Sequence, residues 1–337
     1  CILGGWGSAP VSLKIDDGTL YLRSRFVSTD GGVEADSELL PYAIEKNTWY
    51  HVIATYDGNN IKMYVNGSLA GEDTGYGGGL ANISYVTEAD ENDPDAVGEK
   101  ITRSFAVGAG RYDGEGDPYM MNNCTINKAA LYSGCMTAED AVTAYKIATT
   151  AVPFADITDT WYTDSVEYAY ATGLMNGSSA STFSPSVQTS RAMIVQMLYN
   201  LEGRPAVNKA DNPFSDVGDT WYTDAVLWAY QSGVTTGTSA TAFSPDALVT
   251  REQVAVFLYR YQKDYKKAEM DEGADLSVFP DADSISPYAG FADAIAWANE
   301  VGIIGGKKNG ESVTLAPLDK AMRSEVAKMF VSFDKKF

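Results

Sequence analysis

Two periodicities divide the chain. Up to about residue 148, apolar and polar positions alternate in short runs separated by Gly, Asp and Asn. Thr19-Leu20-Tyr21-Leu22-Arg23 predicts one strand, Trp49 to Tyr56 a second, and Ile61 to Val65 a third. Asp57-Gly58-Asn59-Asn60 closes the second and Asn66-Gly67 the third. These turn residues tolerate positive φ, and β-branched and aromatic runs flank them, so the pattern predicts hairpins of an antiparallel sandwich.

From about residue 150 the apolar spacing changes to i, i+3, i+4, i+7. It holds for Ile194, Met197, Leu198 and Leu201, for Val254, Phe257, Leu258 and Tyr261, and for Val326, Met329, Phe330 and Phe333. Each set predicts one buried face of an α-helix. The three helices belong to a repeat. Phe154, Asp156, Trp161, Tyr162, Gly173, Gly177, Phe183, Pro185 and Arg191 recur 60 residues later as Phe214, Asp216, Trp221, Tyr222, Gly233, Gly237, Phe243, Pro245 and Arg251. A more divergent copy has Phe279, Asp281, Trp297, Gly302, Gly306, Pro317 and Arg323. One helix pair is too small to bury its own face, whereas three pairs packed around a shared axis could.

Composition narrows the function. The 337 residues carry a net charge of −20 and a pI near 4.3, with no basic run. That argues against nucleic acid, which requires a basic face. An anionic ligand must instead meet locally placed Arg or Lys. No stretch approaches the ~20 apolar residues of a spanning helix. The start at Cys1 reads as a fragment or a processed end. Cys124 and Cys135 flank a strand-like stretch and fit either a disulfide or two small buried residues.

Two resemblances follow from these motifs. Trp49 through Leu69, Phe105-Ala106-Val107-Gly108 and the stretch from Ala129 to Asp140 resemble the laminin-G-like, concanavalin A-like jelly roll. The opening strands of that fold, expected before residue 10, are missing from the pattern. The C-terminal repeat resembles the S-layer homology module. Its "T-R-A-E" motif reads here Ser190-Arg191-Ala192-Met193, Thr250-Arg251-Glu252-Gln253 and Met322-Arg323-Ser324-Glu325. The expected organisation is multidomain. A truncated N-terminal antiparallel β-sandwich (1–148) precedes an all-α three-repeat bundle of pseudo-threefold arrangement (149–207, 208–268 and 269–337). The resemblance implies an extracellular protein on the bacterial cell wall that binds secondary wall polysaccharide, often through a pyruvylated sugar.

The arginines are the candidate site. Thr250 and Gln253 form a capping box that puts Arg251 at the first helical position, with Arg191 and Arg323 in the same place. A cation there opposes the helix dipole by ~0.3–1 kcal/mol. One reading is anion capture by Arg plus the free N–H groups of the helix start, beside Ser190 and Thr250. The other is a lock, each Arg pairing with an Asp of the adjacent copy such as Asp156 or Asp216. Trp161 and Trp221 could stack on sugars, although their spacing favours interior packing.

The first half shows no catalytic constellation. His51, the only histidine, reads as a sheet-face residue. Glu34-Ala35-Asp36-Ser37-Glu38 matches the E-x-D-x-E pattern of laminarinase-like glycosidases, but its Gly and Pro flanks read as a solvated loop or edge strand. The acidic stretches 88–95 and 113–117 could hold calcium. The leading reading is a non-catalytic surface protein with a glycan- or protein-recognition domain. The alternatives are the accessory end of a surface hydrolase and a lattice protein.

Overall fold

The structure is a computed structural model. It describes residues 3–4, 11–16, 18–27, 34–36, 40–74, 84–86, 100–102, 106–107, 109–110, 119–120, 126, 129, 135–158, 160–270, 272–310 and 312–337. The chain forms two compact units, Cys1–Thr149 and Thr150–Phe337.

The first unit is antiparallel β. One sheet runs β11 (Ala106–Val107), β1 (Leu3–Gly4), β2 (Val11–Asp16), β3 (Thr19–Val27), β4 (Glu34–Asp36), with β5 (Leu40–Ala43) also on β3. A second contains β6 (Val52–Tyr56), β7 (Asn60–Val65) and β8 (Ser68–Thr74). Short pairs are formed by β9 (Ser84–Val86) with β10 (Lys100–Thr102) and by β12 (Ala109–Gly110) with β13 (Tyr119–Met120). The two-residue side-chain period sends Leu20 and Leu22 of β3 to one face and Ile61, Met63 and Val65 of β7 to the opposing one. These residues and Leu13 form one core shared by the two sheets. Helix α1 (Ala138–Thr149) starts at a box in which Thr137 N–H donates to the Asp140 carboxylate and Asp140 N–H donates to Thr137 Oγ1. The helix covers the β7–β8 turn closely: a Cβ on Gly67, at φ +78°, would lie 3.2 Å from Tyr145 Cβ.

Several expectations change here. A strand does precede residue 10, since Leu3–Gly4 pairs with both β2 and β11. His51 lies one residue ahead of β6 rather than within it, exchanging backbone and side-chain bonds with Asn66 across the hairpin. Glu34–Asp36 is a strand at one end of the sheet path, the second of the two forms expected for it. Glu38, Cys124 and the acidic stretches 88–95 and 113–117 lie outside the described residues.

The second unit is helical, with a small hairpin of β14 (Lys307–Asn309) and β15 (Ser312–Thr314). Its helices are α2 (Thr163–Ala171) and α3 (Arg191–Leu201), α4 (Thr223–Gln231) and α5 (Arg251–Arg260), and α6 (Phe291–Glu300) and α7 (Arg323–Lys336). The three predicted apolar faces are interior except for half-buried Leu201. Each second helix packs on the first helix of the next segment: α3 on α4, α5 on α6, and α7 back on α2. Tyr199 meets Trp228, Tyr259 meets Trp297, and Tyr168 Oη donates to Asp334. A ring of backbone bonds closes the same circuit. Thr189 N–H donates to Ala321 O, Ala321 N–H to Val249 O, and Val249 N–H to Thr189 O, each at 2.9–3.0 Å and all three residues fully buried.

Candidate functional site

Each seam between segments is built around one peptide gripped from two sides. Asp156 accepts the N–H groups of Phe183 and Ser184 at 2.7 and 2.6 Å. Asp216 does the same for Phe243 and Ser244, and Asp281 for Leu315 and Ala316. Ser184, Ser244 and Ala316 are thereby held at φ 60°, 59° and 50°, a costly conformation for a non-glycine residue that needs such anchoring. The turn aims the preceding carbonyl at the neighbouring segment, where an arginine takes it. Arg191 Nε donates to Phe243 O at 2.9 Å, Arg251 Nε to Leu315 O at 3.1 Å, and Arg323 Nε to Phe183 O at 2.8 Å.

Burial opposes ionisation of Asp156 and Asp216, yet the backbone donors, including each aspartate's own N–H, together with the positive charge of Arg323 or Arg191 hold both carboxyls below the usual range. Burial also lowers the pKa of all three arginines. Arg251 and Arg323 are only 5% and 6% exposed, and Arg191 is half-buried. Arg251 Nη2 donates to Gly305 O and its Nη1 lies 3.7 Å from Glu325, while Arg323 Nη2 donates to Asn176 O.

Two premises about the arginines are corrected by this geometry. The N–H groups of the helix starts are occupied. Arg191 and Ala192 donate to Ala247 O and Pro245 O, Arg251 and Glu252 to Asp319 O and Pro317 O, and Arg323 and Ser324 to Val187 O and Pro185 O. Ser190 Oγ and Thr250 Oγ1 accept from Met193 and Gln253 N–H, so the hydroxyls act as caps. Nor do the arginines bond Asp156 or Asp216 directly. They take carbonyls of the residues those aspartates hold, because each Asp spends its oxygens on two backbone N–H groups.

The tryptophans are corrected in the other direction. Trp161 and Trp221 are 62% and 61% exposed, each standing edge-on to its neighbour, Tyr162 or Tyr222. The third segment has Tyr288, 69% exposed, against Phe291 at 5.4 Å. Sequence comparison misses Tyr288 because it stands two residues ahead of the aligned position, which is Gly290. Its signal is an aromatic just before a predicted helix start.

A cavity of about 440 Å³ opens beside the third-segment turn, lined by Asp281, Lys307, Lys308, Thr314, Pro317 and Asp319. Lys307 is already neutralised there by Asp319 at 2.9 Å and Glu325 at 2.8 Å.

Among the described residues no His, Cys, Asp and Glu cluster suits a metal ion, and no helix is long and apolar enough to cross a membrane.

The family model of the S-layer homology domain matches residues 153–192 and 213–255, and that of the concanavalin A-like lectin/glucanases superfamily matches 4–99. The chain is 32% identical over 161 residues to an endoglucanase of Bacillus sp. (strain KSM-635), covering 48% of this chain and 17% of that protein. It is 31% identical over 171 residues to a surface-layer 125 kDa protein of Lysinibacillus sphaericus, 50% of this chain and 13% of that one. It is 30% identical over 180 residues to an amylopullulanase of Thermoanaerobacterium thermosulfurigenes, 52% of this chain and 9% of that one. The chain thus spans less than a fifth of the length of these curated relatives. S-layer homology segments beside a concanavalin A-like segment make this a cell-surface chain attached to the bacterial cell wall.

Proposed function

We propose that the helical unit is a bundle of three S-layer homology repeats, 149–207, 208–268 and 269–337, in pseudo-threefold arrangement, and that it binds secondary cell-wall polysaccharide. The observation that carries this reading is the exposed aromatic kept at each first-helix start: Trp161, Trp221 and Tyr288. Large aromatics left in water at equivalent places suit a sugar face better than they suit the core. In this reading Arg191 supplies positive charge for an acidic substituent, such as a pyruvyl ketal. Arg251, Arg323, Ser190 and Thr250 hold the seams in shape around it. The β-rich unit is a jelly roll that recognises a glycan or protein and does no chemistry of its own.

The chain also fits the accessory end of a surface hydrolase, a reading favoured by the names of the endoglucanase and amylopullulanase relatives.

The test is the Trp161→Ala, Trp221→Ala double variant of the whole chain, sedimented with isolated cell walls. Each stacked ring contributes about 1 kcal/mol, so binding should weaken about tenfold or more at unchanged Tm. Wild-type affinity in the double variant would remove the tryptophans from the binding surface.

A further inference from the structure

We propose that the contact between His51 and helix α1 is an acid-sensitive latch on the β-rich unit: protonating the imidazole releases the helix from the β7–β8 turn.

The backbone of His51 is pinned beneath the helix. Its N–H donates to Asn66 Oδ1 at 2.9 Å, and its carbonyl accepts Asn66 N–H at 2.8 Å. Asn66 sits at φ 52°, a conformation that such bonds must hold. The next residue, Gly67, lies directly under α1: a Cβ there would be 3.2 Å from Tyr145 Cβ and 3.3 Å from Val142 Cα. The imidazole meets the same helix at Tyr145, with ring centres 6.1 Å apart. The histidine, the β7–β8 turn and α1 are thus tied at one place.

His51 Nδ1 is buried and has no hydrogen-bond partner. A neutral imidazole can leave one nitrogen bare, whereas imidazolium carries a proton on both. The Nδ1–H would then be a charged donor sealed from water with nothing to accept it, a costlier state than a bare acceptor. Burial accordingly holds the His51 pKa below its ordinary 6.5.

Among the described residues no carboxylate answers the charge. On α1, Glu139, Asp140 and Lys146 are exposed. Glu139 stands six residues from Tyr145, on the far side of the helix, and Asp140 accepts from Thr137. On the strands, Lys62 pairs with Glu72 at 3.2 Å. Asp57 is held by Asn59 and Asn60 at the other end of the β6–β7 hairpin, and Asp73 lies toward the far end of β8. Glu45, before Tyr50, is exposed. Tyr50, Tyr56, Tyr64 and Tyr145 are neutral phenols below about pH 9.

The folded pKa lies below the unfolded one, so the folded unit prefers the neutral ring. That preference is complete above about pH 6.5 and is lost as pH falls from there through the folded value. The chain has one histidine, so at ordinary pKa values no other side chain changes charge between about pH 7 and 5. Helix α1 ends at Thr149, and the second unit begins at Thr150. Once released, its 12 residues join the connection between the units. Their span grows from about 18 Å as a helix to about 40 Å extended. Mild acid would therefore lengthen the tether of the β-rich unit, above the range in which the aspartate clamps of the helical unit titrate.

The experiment is amide hydrogen exchange of the whole chain between pH 7 and 5, corrected for the intrinsic rate, in wild type and His51→Gln. Wild-type α1 amides should lose protection as pH falls while those of α3, α5 and α7 keep theirs. In His51→Gln, α1 protection should not depend on pH. Constant α1 protection in wild type, or an equal fall in His51→Gln, overturns the latch. A second measurement covers a variant that fails to fold: NMR titration of the single imidazole. It should titrate below 6.5 in wild type and return toward 6.5 in Tyr145→Ala, which uncovers the ring. Wild-type titration at or above 6.5, or no change in Tyr145→Ala, also overturns the proposal.

Discussion

Arg191 and Asp216 hold the same residue from opposite ends: Asp216 accepts Phe243 N–H at 2.9 Å, and Arg191 donates to Phe243 O at 2.9 Å. The aspartate sits within its own segment and the arginine reaches in from the previous one. The clamp therefore joins the fold of a segment to its assembly with the neighbour.

Ionised Asp216 is the form that accepts both N–H groups, and its folded pKa lies below the unfolded value. Its contribution is complete above the ordinary carboxylate pKa of about 4 and is lost as pH falls through the folded value. The helical unit should lose stability on acidification below about pH 4. Asp216→Asn, whose amide offers one acceptor where two are needed, should cost about 1–2 kcal/mol at neutral pH and flatten that acid dependence. Urea unfolding followed across the pH range checks both. An acid limb unchanged in the variant would show that other groups set it.

Gly237 supports the same turn by being absent in bulk. A Cβ there would lie 2.5 Å from Phe214 Cε1 and 2.6 Å from Ala242 O, at φ +81°. The Phe214 ring thus explains the glycine, and Phe154 stands over Gly177 in the same way. Gly233 has the same φ but open space around it. Gly237→Ala should destabilise by about 3 kcal/mol and Gly233→Ala by about 1 kcal/mol. Comparable losses in thermal unfolding would mean the Phe ring moves aside without cost.

At the centre of the ring, Thr189 Oγ1 is buried with no hydrogen-bond partner. The equivalent residue of the second segment is Val249. Thr189→Val removes an unsatisfied hydroxyl without altering the backbone ring, so it should stabilise by about 1 kcal/mol. A lower unfolding midpoint in the variant would show that the hydroxyl is satisfied.

Much of the fold was legible because it depends on local periodicity. The second-helix faces, the Thr250–Gln253 box and the Asp57–Asn60 and Asn66–Gly67 turns all form where the pattern placed them. The site was less legible because its bonds are not local. Phe243 O is 52 residues from Arg191 and Phe183 O is 140 from Arg323. No spacing rule reveals that a carbonyl takes the guanidinium. The tryptophans mislead for a related reason: the apolar partners at i+5 and i+8, Val166 and Ala169, are interior, while Trp161 itself precedes the helix and stays outside. Tyr288 escapes because the third copy shifts its aromatic by two residues.

The central claim is that the helical unit holds the wall polymer. The most direct measurement is an equilibrium binding curve of the whole chain on isolated cell walls, intact or stripped of secondary polymer. The account predicts saturable binding to intact walls and its loss on stripped ones. Equal binding to both, or none to intact walls, would contradict it.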